Sequence, residues 1–134
     1  MRRTDWLQNL QTLIHERMNI PYQPGTHDCC LFVADAVFAQ TGKDPAQAYR
    51  GTYTTYEEAV RILNAHGGIE ALMAQTFGEP VGRNCARRGD VVLFDAPNGA
   101  TTVGICMGNH FVSPGDEKLN NFDLSIATKA WRID

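Results

Sequence analysis

Four cysteines and four histidines are the side chains of this chain suited to nucleophilic or acid-base chemistry near neutral pH. They are Cys29, Cys30, Cys85 and Cys106, and His15, His27, His66 and His110. Cys29 differs from the rest by position: it follows Asp28, a residue type that caps helices, and opens an apolar run that continues to Gln40. At a helix start, unpaired backbone N–H groups and the positive end of the dipole stabilise an anion, so a thiolate is favoured there. The chemistry this offers is thiol attack on an amide, with an imidazole within hydrogen-bond reach as general base. The backbone N–H of Cys29 or Cys30 would then hold the oxyanion. A cysteine in an apolar helix serves equally as inert packing, and Cys30, Cys85 and Cys106 are read that way.

Composition removes other chemistries. There is no C-x-x-C pair, and adjacent Cys29 and Cys30 are expected to point in different directions from a helix, so no zinc site and no other cofactor is expected. The opening MRRTDWLQNL reaches polar residues before an apolar run of about 7–15 residues can form, so no export signal is expected. The cysteines are therefore read as thiols of a reducing compartment. Twelve Lys and Arg against fifteen Asp and Glu give a net charge of −3. That balance lacks the basic footprint of a nucleic-acid binder. No stretch approaches the roughly 20 apolar residues of a membrane span. With 134 residues, 43% of them hydrophobic and 20% charged, the chain reads as one domain, 1–134, able to bury its own core.

The elements that must position Cys29 follow from periodicity. Trp6, Leu10, Ile14 and Met18 recur every four residues, predicting an amphipathic helix over 4–18 behind a Thr4 cap. Two prolines and a glycine make 19–27 a loop. A helix capped by Asp28 runs to about Thr41 and stops at Gly42; it is apolar nearly all round and belongs in the core. A loop or helical turn over 43–51 leads to Thr55-Tyr-Glu-Glu58, a capping box that opens a third helix ending at Gly67 and Gly68. A short helix over 69–77 follows. Strands are predicted at 91–94, 101–107, 110–113 and 125–133, with Gly108-Asn109 as a two-residue hairpin turn. Helices first and antiparallel strands second define an α+β domain.

Three blocks within these elements resemble a known family. Gly25-Thr-His-Asp-Cys29-Cys-Leu-Phe-Val, Arg88-Gly-Asp90-Val-Val-Leu-Phe and Val103-Gly-Ile-Cys-Met-Gly-Asn109 resemble, in order, the G-x-x-DC-S-G-L, P-G-D-L-v-f-f and H-V-G-I-Y-l-G-n-g signatures of NlpC-type cell-wall cysteine peptidases. The run His27 to Val37, with Thr41-Gly-Lys-Asp-Pro45, Arg50-Gly-Thr-Tyr53 and Ala130-Trp131, looks more closely like a small NlpC-like family encoded among bacteriophage and prophage tail genes. The resemblance implies an NlpC-like papain-type fold, with N-terminal helices packed on a C-terminal antiparallel sheet and Cys29 at the nucleophile position. It also marks a departure: Thr102 stands where the family has its basic histidine, and the third, orienting position falls near Ser113. A hydroxyl neither takes up a proton readily nor holds an imidazolium.

The remaining histidines are weak substitutes. With a two-residue turn, Met107 pairs with His110 and Cys106 with Phe111. Thr102, Gly104, Cys106, Phe111 and Ser113 then share one sheet face, and His110 falls on the other unless a bulge reverses it. His27, two residues before Cys29, is read as a local structural residue, and His15 and His66 as solvated. Asp90 is expected to anchor the turn into the first strand. Arg50 and Tyr53 are expected to rim a cleft or bond loop carbonyls, and Trp6 and Trp131 to anchor the core or an interface.

The resemblance implies a phage tail-tip or baseplate protein of structural or assembly role, degenerate in its catalytic base. Its partners would be other tail-tip proteins, with peptidoglycan peptides as a further class. It would reside in the virion, and in the host cytoplasm during assembly. The alternative is an active cysteine peptidase or amidase that cuts peptidoglycan cross-links during DNA entry; a third reading is a maturation factor absent from the virion.

Overall fold

The computed structural model describes residues 1–134. Helix α1 spans Trp6–Arg17 and begins after Asp5 with no side-chain cap, so the expected Thr4 cap is not formed. The chain entering it is tied instead by the Arg3 N–H to the Gln40 carbonyl at 2.7 Å. Helix α2, Cys29–Thr41, keeps both expected ends. Asp28 Oδ1 accepts the Leu31 N–H at 2.8 Å, and Gly42 turns the chain at φ 78°. Seven of its thirteen residues are buried, which places it in the centre of the domain. Helix α3, Tyr56–Ala65, opens on the Thr55/Glu58 capping box, and α4, Ile69–Phe77, follows the Gly67-Gly68 break.

The strands are β1 (Val81–Gly82), β2 (Val91–Asp95), β3 (Thr101–Cys106), β4 (His110–Pro114), β5 (Leu119–Asp123) and β6 (Ala127–Trp131). They form one antiparallel sheet in the order β1-β6-β2-β3-β4-β5. The β3–β4 hairpin has the expected register, with Met107 N–H on His110 O at 2.7 Å and Cys106 opposite Phe111. Two expectations are corrected. The strand predicted over 125–133 is a 3₁₀ turn, Leu124–Ile126, followed by the shorter β6. β5 forms where none was expected: Asn120 and Asn121 are poor strand formers, and pairing with β4 from His110↔Asp123 to Pro114↔Leu119 supplies what propensity lacks.

The sheet buries both faces, unequally. Val91, Leu93, Val103, Ile105 and Val112 pack with Phe32, Val33 and Val37 of α2 in a cluster of 16 buried residues. The opposite face carries a cluster of six, in which Phe94 and Phe111 rings lie 4.6 Å apart between centroids. Truncating the fully buried Phe32 to alanine would cost roughly 3–5 kcal/mol. Trp131 is buried, with its indole N–H on the Gly78 carbonyl at 3.0 Å. Trp6 packs at the core edge under the Arg2 guanidinium. Asp90, buried at the entry to β2, accepts the Arg87 N–H at 2.8 Å and the Ile133 N–H at 3.0 Å, and so ties the turn to the C-terminal segment. No helix is long and apolar enough to cross a membrane.

Candidate functional site

The start of α2, the loop over 43–54, helices α3 and α4 and strands β2 to β5 line a half-open cavity of about 560 Å³. Cys29 lines it as the first residue of α2. Asp28 fixes that helix start: Oδ1 caps Leu31, while Oδ2 accepts the Gly25 N–H at 2.9 Å and the Tyr53 hydroxyl. Gly25 is required at φ 85°, and a Cβ there would meet the Tyr53 carbonyl at 2.4 Å. Tyr53 therefore bonds a carboxylate at the root of the site, where a loop carbonyl or the rim was expected.

The Cys30 thiol, foremost, holds the Cys29 pKa below the ordinary thiol value, with the Thr102 hydroxyl and the Val103 backbone adding to it, against burial and the Asp28 charge. The Cys30 thiol is pushed well up, because a thiol that donates to a neighbouring sulfur and is buried resists losing its proton. Both cysteines line the cavity. Burial also raises Cys106, which is wholly enclosed, whereas Cys85 is exposed; all four are free thiols.

Thr102, opposite Phe94 on β3, lines the cavity beside that sulfur. Ser113 lines it too, buried, with its hydroxyl donated to the Val103 carbonyl at 2.9 Å. None of the four histidines lines it. His27 is buried edge-on to Phe32 with Nδ1 3.4 Å from the Arg17 guanidinium, and burial lowers its pKa, with Arg17 acting in the same direction. His110 sits opposite Asp123 with Nδ1 3.3 Å from Asn109 Oδ1, in a hairpin without a bulge. His15 is exposed. His66 is not simply solvated: Nε2 lies 3.0 Å from the Tyr49 hydroxyl and Nδ1 3.1 Å from Gln75 Oε1. Arg50 bonds Asp44 and Asp35 rather than loop carbonyls, and Asp35 also pairs with Arg17.

Sequence reasoning missed Tyr22 and Tyr49, which line the cavity. Tyr22 is held by its N–H on the Gly115 carbonyl at 2.8 Å, and its phenol pKa is raised by burial and then by the Cys29 and Asp28 charges. An aromatic in a proline-bounded loop seven residues before the cysteine was the available signal.

A central helix that opens on a cysteine lies against a six-stranded antiparallel sheet, and the chain as a whole has the NlpC/p60 fold. Among solved structures the chain is similar to the crystal structure of the NlpC/p60 domain of peptidoglycan hydrolase SagA, at 18% identity and a TM-score of 0.57. The match covers 93% of this chain and 97% of that one. Residues 1–133 match the family described as a domain of unknown function, DUF6950, and the chain belongs to that family. No curated protein matches it.

Proposed function

We propose that this chain is a structural or assembly component of a bacteriophage tail tip or baseplate, built on a peptidase-type fold without hydrolytic chemistry. The observation that carries the second half is the cavity around Cys29, whose wall holds Cys30 and Thr102 and no imidazole. Amide cleavage needs a group that accepts the thiol proton and returns it to the leaving amine, and a threonine hydroxyl does neither near neutral pH. The resemblance of residues 27–37, 41–45 and 50–53 to phage tail-encoded chains supports the first half. On this reading the protein resides in the virion, passes through the host cytoplasm during assembly, and meets other tail-tip proteins.

The lowered Cys29 pKa favours one alternative, a thiol hydrolase acting on peptidoglycan peptides. Incubation of the purified chain with muropeptides separates the two. No release beyond that of Cys29→Ala is expected, and release that disappears in Cys29→Ala overturns the proposal. Mass spectrometry of purified particles tests the location: fixed stoichiometry is expected, and absence from particles leaves a maturation role.

A further inference from the structure

Helix α3 has a continuous apolar side, Ala59, Val60, Ile62 and Leu63, yet none of its residues is buried. An amphipathic helix in a finished domain seats such a stripe in the core. Here the stripe lines the cavity, with Leu72 and Met73 of α4 also in its wall. The cavity opens to solvent on one side, is lined mostly by apolar residues, and at about 560 Å³ is of ligand size.

The charges of the wall restrict what fits. No Lys, Arg or His contributes to it, and its charged residues are Asp28 and Asp116. The oxygens of Asp28 are committed to Leu31, Gly25 and Tyr53, and Asp116 is exposed. A carboxylate entering this space would meet no side-chain cation, and the positive end of α2 is already taken by the Asp28 carboxylate, whose charge would oppose a second anion there.

We propose that the cavity binds an uncharged, hydrocarbon-rich ligand group, seated between α3 and the start of α2, and rejects anionic peptides such as the carboxylate-bearing stems of peptidoglycan. This deepens the reading of the site as a binding cleft without hydrolysis and rests on it. The apolar face of α3 is half-buried, with Ala59 and Ile62 against Leu31, Ala34, Ala46 and Tyr53 and Leu63 at the edge of the main core, and its remaining exposed part gains contact on occupation.

Two dyes with closely related aromatic amine skeletons test the charge rule on the full chain. N-phenyl-1-naphthylamine is uncharged, and 8-anilino-1-naphthalenesulfonate adds a sulfonate. Saturable one-to-one binding of the first is expected, with the second weaker by on the order of tenfold or more. Ile62→Lys should weaken the uncharged dye by on the order of tenfold, and Ile126→Lys, at an exposed position outside the cavity, should not. If Ile62→Lys loses its fold by circular dichroism, Ile62→Trp replaces it, filling the space with an apolar ring and lowering dye affinity. Absent binding of the uncharged dye, equal or tighter binding of the sulfonate, or binding indifferent to both Ile62 variants overturns the proposal. Muropeptide digestion by the same preparation is read alongside. Cys29-dependent hydrolysis overturns the non-hydrolytic reading and this inference together, whereas no hydrolysis and no dye binding overturns this inference alone.

Discussion

Tyr53 donates its hydroxyl to the carboxylate of Asp28, and the other oxygen of that carboxylate caps the helix that carries Cys29. A loop residue 25 positions downstream thus holds the first turn of α2 and, through Gly25, the loop before it. Tyr53→Phe keeps the ring and removes the donor, leaving a buried carboxylate short of one partner. A loss of about 2 kcal/mol is expected in urea unfolding. Asp28→Ala removes the cap as well and should cost more than Tyr53→Phe. Equal stability of Tyr53→Phe and wild type would mean that the contact does not hold the helix start.

The paired thiols give a pH signature that needs no substrate. Cys29 lies below the ordinary thiol value and Cys30 well above it, so as pH rises Cys29 ionises first and Cys30 stays protonated. Site-resolved iodoacetamide labelling should show Cys29 reacting at lower pH than Cys30. The leading cause is the hydrogen from Cys30. Cys30→Ala should therefore move the Cys29 profile up in pH, Cys30→Ser should largely preserve it, and Thr102→Val should raise it by less. A Cys29 profile unmoved in Cys30→Ala would show that the two thiols are not in contact.

What the sequence disclosed was local. Asp28, Gly42 and the Thr55/Glu58 box set their helix ends through residues at most four positions apart, and the Gly108-Asn109 turn fixes its hairpin register the same way. What escaped depends on partners distant in sequence. β5 exists because β4 pairs it, against the propensity of Asn120 and Asn121. His66 read as solvated because its partner Tyr49 lies 17 residues away across a loop. At the site, the place of Cys29 was legible from its position at the start of an apolar helix, and that of Thr102 from the family blocks. The cavity wall was not legible, because Tyr22 and the α3 stripe meet only when the loops close.

His27 is neutral because it is buried, with Arg17 opposing a second positive charge and Asp35 and Asp28 only partly offsetting it. Its folded pKa lies below the unfolded value of about 6.5. The contribution to stability is therefore whole above that value and is lost as pH falls through it toward the folded pKa, since the unfolded chain binds the proton more readily. Thermal unfolding of wild type should lose stability between pH 7 and pH 5 more steeply than His27→Gln, which has no proton to take up. Parallel pH profiles would show that His27 is not protonated on unfolding in this range.

Thr102→His tests the position at which the family resemblance expects a base. Thr102 lines the cavity beside the Cys29 sulfur, so an imidazole there would meet the thiol where the resemblance expects a base. An imidazolium next to the sulfur stabilises the thiolate, and cysteines so paired ionise well below neutral pH. Alkylation of Cys29 at pH 6 should rise by on the order of tenfold over wild type, and should return to the wild-type rate in Thr102→Gln, which fills the same space without a proton to exchange. Ser113 does not complete the arrangement, because its hydroxyl is given to the Val103 carbonyl and is not free to orient the ring. The engineered pair should therefore label faster without hydrolysing muropeptides. An unchanged labelling rate in a folded Thr102→His chain would mean that residue 102 does not face the sulfur, and the absence of a base would have to be argued from another position.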